Sequence, residues 1–468
     1  MATPARSRFR AKLPRFVSLR GRSRLRREAN DSRRDGRTHE GTPSANEHAA
    51  SDAGDVSTGA AIIATGTLVV LASTLLSPGI EAIQKSFEEQ GGGFASPQLM
   101  AKMMVTAPAV VVGLIAPFGG WMLDKLGRRR VLLAGLAIFG LAGGVGGLLS
   151  SPVALLASRI VFGFGVAAIL LSTTTLIGDY YDGRERQKML GWQIAAIAIV
   201  ATAGMFAAAW LVQQSWRWPF AIYTLALVLL PWAWKAIDEP DEAEDAAEES
   251  EGDPTGETAG SSAADDERGS IPWHTVGFIY VATFLALAIF HLATTQIPSY
   301  LEELGYGSPY MTATIISIIS IVGVPSSLLF ERARRQFSNQ SLLIGVFSVG
   351  AVGFFIAGCY ESIWTLVVGL AVFGLLYGFR TPAFNAWLLN VAPERYRGRL
   401  VGGLTSASFL GIFASPLLSD PLRNAVGMPW VILIAAALQA VFAGAFAWFA
   451  IRQTGSDEAA ESAAATDS

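Results

Sequence analysis

The sequence predicts an all-α, polytopic membrane protein built as two pseudo-symmetric six-helix bundles, and three observations carry that prediction. Twelve apolar stretches lie between residues 58 and 452, basic residues gather in alternate loops, and the first six stretches are echoed by the last six. Of 468 residues, 51% are hydrophobic and only 16% charged. Soluble domains carry about 25% charged residues. Here nearly all the charge sits in three blocks, 1–58, 238–270 and 453–468, and what remains between them is close to pure hydrocarbon. That distribution excludes a soluble enzyme and a disordered protein. The single Cys359 excludes a disulfide scaffold, so stability must come from helix packing.

Residues 1–57 read as a basic, disordered cytoplasmic tail. Residues 1–37 hold twelve Arg and Lys12 against three acids, with no apolar stretch long enough for a secretory signal. Such arginines rest on anionic lipid, each contributing about 1 kcal/mol near the surface. The loose composition of an organellar transit peptide also fits residues 1–27.

The apolar segments run 58–80, 99–123, 130–151, 153–178, 189–213, 217–237, 272–300, 309–330, 340–360, 362–392, 399–421 and 428–452. A hydrocarbon layer about 30 Å thick needs about 20 apolar residues in a helix, which satisfies its own backbone there. The loops after segments 2, 4, 8 and 10 carry Lys125 and Arg128 to Arg130, then Arg184, Arg186 and Lys188, then Arg332, Arg334 and Arg335, then Arg395, Arg397 and Arg399. The alternate loops hold Lys85, Arg217 and Arg423 at most, among Glu81, Glu88, Glu89, Glu302, Glu303 and Glu361. Lys and Arg accumulate in short cytoplasmic loops, so both termini are expected on the cytoplasmic side of a cell membrane.

Residues 58–237 and 272–452 are thus two six-helix bundles. The segment between them, 238–271, holds fourteen acids against Arg268 and reads as a disordered cytoplasmic tether; 453–468 is an acidic tail. The halves also correspond in sequence. Asp124 to Arg128 matches Glu331 to Arg335 at an offset of 207, and Phe162-Gly163 matches Phe373-Gly374 at an offset of 211. Markers at nearly one period on matching segments point to an internally duplicated transporter.

The strongest local signal follows segment 2: Gly120-Trp-Met-Leu-Asp124-Lys125-Leu-Gly127-Arg128-Arg129-Arg130. It resembles the G-x-x-x-D-[RK]-x-G-x-[RK]-[RK] loop of the major facilitator superfamily, at the place the topology requires. Gly120 is expected to let two helices approach and Gly127 to permit a tight turn. The resemblance implies that Asp124, Lys125, Arg128 and Arg129 form a conformational gate whose charged contacts cross between the halves in the outward-facing state. Segment 4 carries Leu155-x-x-x-Arg159-x-x-x-Gly163-x-Gly165, similar to the family's second motif, whose Arg is associated with proton transfer. The antiporter branch places G-P-x-x-G-G before a W-R-x-x-F entry to helix 6. Trp216-Arg217-Trp218-Pro219-Phe220 keeps that entry, whereas Gly204-Met205-Phe206-Ala207-Ala208-Ala209 replaces the Pro and both late Gly.

No Asp or Glu lies in the middle of any segment; the ionisable groups expected within the bilayer are Arg159, His291 and Arg380. Such groups mark substrate and proton pathways. His291 titrates near neutral pH when unperturbed and is a candidate proton carrier beside Arg159; an ordinary hydrogen-bonded packing histidine is the other reading. Arg380 follows Tyr377 and precedes Pro382 and Asn385 in an interrupted helix, where transporter sites are built. Thr74 and Ser77 before Pro78, Gln193, and Gln296 before Pro298 complete the candidate substrate cavity.

No P-loop, metal-ligand cluster or nucleophile triad is present in the sequence, so no cofactor and no enzyme activity are expected. The reading is a secondary transporter, driven by a gradient and working as a monomer on a small-molecule substrate, without nucleic acid. Proton-coupled efflux is the first form of that reading. Uptake or exchange of a small organic or inorganic anion is the second, suggested by two buried Arg without a buried carboxylate.

Overall fold

The computed structural model describes residues 45–90, 95–239 and 271–466, with side-chain surroundings from 56 to 451 apart from residue 328. The readings for 1–44, most of the acidic tether and the last two residues lie outside the described residues. Among the described residues, eleven helices are long and apolar enough to cross a bilayer. We label the helices α1 (Val56–Glu89), α2 (Pro97–Leu126), α3 (Arg128–Leu148), α4 (Pro152–Tyr180), α5 (Gly183–Val212), α6 (Phe220–Ala236), α7 (Trp273–Thr295), α8 (Pro309–Arg334), α9 (Asn339–Cys359), α10 (Ile363–Val391), α11 (Glu394–Val426) and α12 (Met428–Ile451). The shorter α6 supplies the twelfth crossing; its helix loosens at Thr224. Helical backbone also extends back to Ala45 before α1 and on to Thr466 after α12.

Serine hydroxyls set several starts. Ser96, Ser151, Ser308 and Ser338 each accept a hydrogen bond from a first-turn backbone N–H of α2, α4, α8 and α9, satisfying one of the four donors a helix leaves open. Pro at the first position of α2, α4 and α8 costs no hydrogen bond there.

The duplication is visible as repeated packing. A Cβ on Gly163 of α4 would lie 2.9 Å from the Pro108 carbonyl oxygen of α2, and one on Gly374 of α10 would lie 3.0 Å from the Ile319 carbonyl oxygen of α8. A side chain at Gly163 would force the backbones apart, and one at Gly374 would fit only if the neighbouring helix gave way slightly. The preceding phenylalanines repeat too: Phe162 packs on Phe139 of α3 at 4.5 Å between ring centroids, and Phe373 on Phe354 of α9 at 4.9 Å. Each half therefore buries its own apolar core.

A third core joins the halves. Met205 and Ala209 of α5 are buried with Ile289 of α7 and Ile315 and Ile316 of α8. α5 runs unbroken from Gly183 to Val212, as the missing Pro allows. Helix α11 packs along α2, where the Ser406 hydroxyl donates to the Gly113 carbonyl.

Candidate functional site

The loops rich in arginine lie on one face of the molecule, and a polar cluster closes the opposite face between the halves. Lys102, one turn into α2, is fully buried. Its ammonium donates to Asp420 Oδ1 of α11 at 2.6 Å and to Gln296 Oε1 at the end of α7 at 2.8 Å. The Gln296 amide donates in turn to Asp420 Oδ1 and to the Ser419 hydroxyl, both at 2.6 Å. Arg423, one turn beyond Asp420, donates to Gln296 Oε1 at 3.1 Å and pairs with Glu303 of the short helix Ile297–Glu303. Further out, Lys85 of α1 pairs with Glu302 at 2.8 Å. The Glu302 carboxyl is held below its ordinary range by its hydrogen bond with Glu81 and then by the Lys85 ammonium. Glu81, Gln98, Ser299, Glu302, Glu303 and Arg423 border an open, polar vestibule of about 300 Å³ above this plug.

This cluster corrects the expectation that no carboxylate is buried in the crossings. Asp420 stands at the edge of the apolar segment, but α11 extends to Val426 and encloses it at 4% exposure. Lys102 is visible inside segment 99–123, yet its partner is 318 residues away and no local pattern announces it. Gln296, expected in the substrate cavity, is the centre of the plug, accepting two cations through one oxygen.

On the arginine-rich face the gate loop is tied to its own half. Arg128 Nε pairs with Asp179 at the end of α4 at 2.8 Å, whereas Asp124 lies 3.8 Å from Arg128 Nη2 with its side chain 68% exposed. Lys125 lies over the Trp121 ring at 5.1 Å. Gly127 has φ +87°, which confirms the tight turn. Gly120 differs from expectation: an added Cβ would meet nothing within 4 Å, so no helix approaches it in this conformation. Sequence reading also missed Glu239, which follows α6. Its carboxylate accepts from the backbone N–H groups of Arg128 and Arg129 at the start of α3, where a negative charge complements the helix dipole.

Arg159 is completely buried, and its Nη2 donates to the carbonyls of Ala142 and Gly143 near the end of α3, both at 3.1 Å. The rings of Phe162, Phe220 and Tyr223 surround the guanidinium at 4.7, 4.9 and 5.3 Å. Arg217 reaches the same helix end, donating to the Leu149 carbonyl at 2.6 Å. Two cations thus complement the negative end of α3, and both stay inside the first half. His291 is 4% exposed; its Nδ1–H donates to the Leu287 carbonyl of its own helix at 3.1 Å, which assigns the tautomer.

The remaining candidates do not converge on one point. Thr74 bonds back to the Val70 carbonyl at 2.9 Å, and Ser77 is fully buried. Gln193 stays in the first half, its amide packed where a Cβ on Gly66 of α1 would stand 2.7 Å away. Tyr377, Arg380 and Asn385 do lie together on α10, where the helix tightens at Gly378-Phe379 and the Phe379 N–H bonds to the Leu376 carbonyl. Arg380 is 7% exposed, with its Cζ 4.6 Å from the Tyr377 ring. Tyr377 stacks on Phe290 of α7 at 4.2 Å, with the rings 13° apart. Asn385 donates to the Thr381 carbonyl at 3.0 Å.

Residues 62–357 match a family model described as Major Facilitator Superfamily, and residues 270–462 match one described as Sugar (and other) transporter. The chain is 26% identical over 325 residues to Multidrug resistance protein 2 of Bacillus subtilis, covering 68% of this chain and 78% of the relative. It is 25% identical over 341 residues to the cis,cis-muconate transport protein of Acinetobacter baylyi, again covering 68% and 78%. Among solved structures, a partially occluded, inward-open xylose transporter of E. coli superposes with a TM-score of 0.65 at 15% identity, covering 84% of this chain and 98% of that one. That likeness concerns the fold.

Proposed function

Because this chain belongs to the major facilitator superfamily, it is a multi-pass membrane transporter of small molecules rather than an enzyme, and we propose that it exports small, partly hydrophobic organic compounds by proton-coupled alternating access. The observation that carries the reading is the plug of Lys102, Gln296, Asp420 and Arg423, a buried polar bridge between the two halves at the end opposite the arginine-rich loops. Loops rich in Lys and Arg stay cytoplasmic, which puts the plug on the outer side of a cell membrane. Release outward then requires these contacts to part and the gate loop on the inner side to close.

Two features support that cycle. Asp124 is largely exposed and Arg128 is held by Asp179, so the gate charges stand ready to contact the second half when the inner side closes. Asp420 supplies the buried carboxylate that proton coupling calls for, and opening of the plug brings it to outside water. A gradient is the driving force in this reading, with no cofactor and with the monomer as the working unit. The likeness to Multidrug resistance protein 2 favours export over uptake.

The test is flux from proteoliposomes holding the purified full chain, loaded with ethidium or with carboxyfluorescein, under an imposed pH gradient. We expect at least one dye to leave faster with the gradient than without it, and D420N to abolish the difference. Dye movement that ignores the gradient would overturn the coupling.

A further inference from the structure

Four Lys or Arg side chains are buried among the described residues: Lys102, Arg159, Arg380 and Arg423. Three of them have their charge answered within the protein. Lys102 meets Asp420, Arg423 meets Glu303, and Arg159 meets two carbonyls at the negative end of α3. Arg380 has none of these. Nε and Nη1 are buried without a described hydrogen-bond partner in Arg159 and Arg380 alike, but where Arg159 Nη2 has two helix-end carbonyls, Arg380 Nη2 has one described contact of 3.3 Å, to the neighbouring Thr381 hydroxyl. A guanidinium keeps its charge in proteins. Buried charges are paired or pay a heavy desolvation cost, so an unanswered one marks a place where a counter-charge arrives from outside.

The surroundings specify what brings that charge. Tyr377 and Phe290 form a ring stack, and the Arg380 guanidinium lies at its side, 4.6 Å from one ring and 6.0 Å from the other. Tyr377, Thr381 and Asn385, four residues apart along α10, make a strip that is half-buried to exposed rather than sealed in the protein core. A flat apolar body would lie against the rings, with its anionic group against the guanidinium. A cationic solute is disfavoured at this spot because Arg380 repels it and no described carboxylate pairs with Arg380.

We propose that the Arg380, Tyr377 and Phe290 cluster is a substrate subsite for organic anions that join a carboxylate to an aromatic or similarly flat apolar body. The assignment rests on the transporter reading but not on the direction of transport or on proton coupling.

The experiment is equilibrium binding to the detergent-purified full chain, read as ligand-induced thermal stabilisation. The probes are 1-naphthoate, the neutral isostere 1-naphthamide, and phosphatidylglycerol added to the micelle. Naphthoate should raise the melting temperature of the wild-type chain in a dose-dependent way, and naphthamide should not. In R380Q the apparent affinity for naphthoate should fall at least about tenfold, equivalent to about 1.4 kcal/mol, and R380K should recover part of it. Y377L should weaken naphthoate while keeping its advantage over naphthamide, which preserves the test if R380Q does not fold. Equal stabilisation by naphthoate and naphthamide overturns the proposal, as does unchanged naphthoate affinity in R380Q. A rise that depends on Arg380 with phosphatidylglycerol but not with naphthoate assigns the site to a lipid headgroup and overturns it as well. Binding without gradient-driven dye flux would refute the export reading alone, and dye flux without this binding would refute the subsite alone.

Discussion

Lys102 of α2 and Asp420 of α11 form an ion pair of 2.6 Å between the two halves of the molecule, with side-chain exposures of 0% and 6%. Removing one partner of a buried pair strands the other charge, at a typical cost of about 3–5 kcal/mol, whereas replacing both by apolar residues is often neutral. K102M should therefore lower the melting temperature sharply, and K102M/D420L should recover most of the loss. Equal melting of K102M and the wild-type chain would show that the pair does not hold the halves.

The outer pair of Lys85 and Glu302 should show an acid limit. Glu302 is depressed below 4.5 by Glu81 and then Lys85, so its contribution is complete above 4.5 and is lost as pH falls through the lower folded value. Both side chains are largely exposed, at 64% and 42%, and solvent screening keeps the effect below about 1 kcal/mol. Melting temperatures of wild type and K85M should differ slightly at pH 6 and converge near pH 3.

Arg159 should behave as a clamp on α3. Its Nη2 makes two hydrogen bonds to carbonyls, and bonds from a charged donor contribute about 1.5–3 kcal/mol each. R159M should destabilise the chain by at least about 2 kcal/mol in a denaturation assay, with R159K intermediate. We expect the pH profile of transport by R159K to match wild type. A shifted profile with unchanged melting would assign Arg159 to the proton pathway as well.

At the gate loop, the Glu239 carboxylate accepts from two backbone N–H groups at the start of α3. Loss of such a cap costs about 1 kcal/mol. E239A should lower the melting temperature modestly, and E239Q should recover part of the loss, because it keeps an acceptor but not the charge. G127A should cost more than a surface change. Its φ of +87° disfavours any side chain, and the new Cβ would stand 3.0 Å from the Glu239 carboxylate.

Met205 shows what replaced the antiporter proline. Buried with Ile289, Ile315 and Ile316 between the halves, it fills the junction of α5 with α7 and α8. M205A should leave a cavity costing about 2–5 kcal/mol and should speed labelling by a water-soluble maleimide of a cysteine placed at Ser299, measured in a C359A background. Unchanged labelling would show that Met205 fills space without closing the outer side.

Much of the fold was legible because its causes are local. The length of each apolar segment, the Lys and Arg in alternate loops, and the matched Phe-Gly pairs in α4 and α10 can all be read along one stretch of chain. The bilayer constrains each segment separately, and gene duplication leaves its marks in order. Gly127 was legible for the same reason, since a tight turn between two helices is decided by a few neighbours.

The sites were only partly legible. Arg380 stood out because a cation in an apolar helix is rare, and Tyr377 before it and Asn385 after it flank it along the same helix. What a charge meets across helices is a different matter. The sequence by itself determined that this chain crosses a membrane as two related bundles with few charges inside. Only the tertiary structure decided that Lys102 meets Asp420, that Gln296 belongs to that plug, that Arg159 serves a helix end, and that Arg380 is left without a counter-charge. Burial depends on partners brought from hundreds of residues away, and the electrostatic fate of each buried group is set by those partners rather than by its neighbours in the chain.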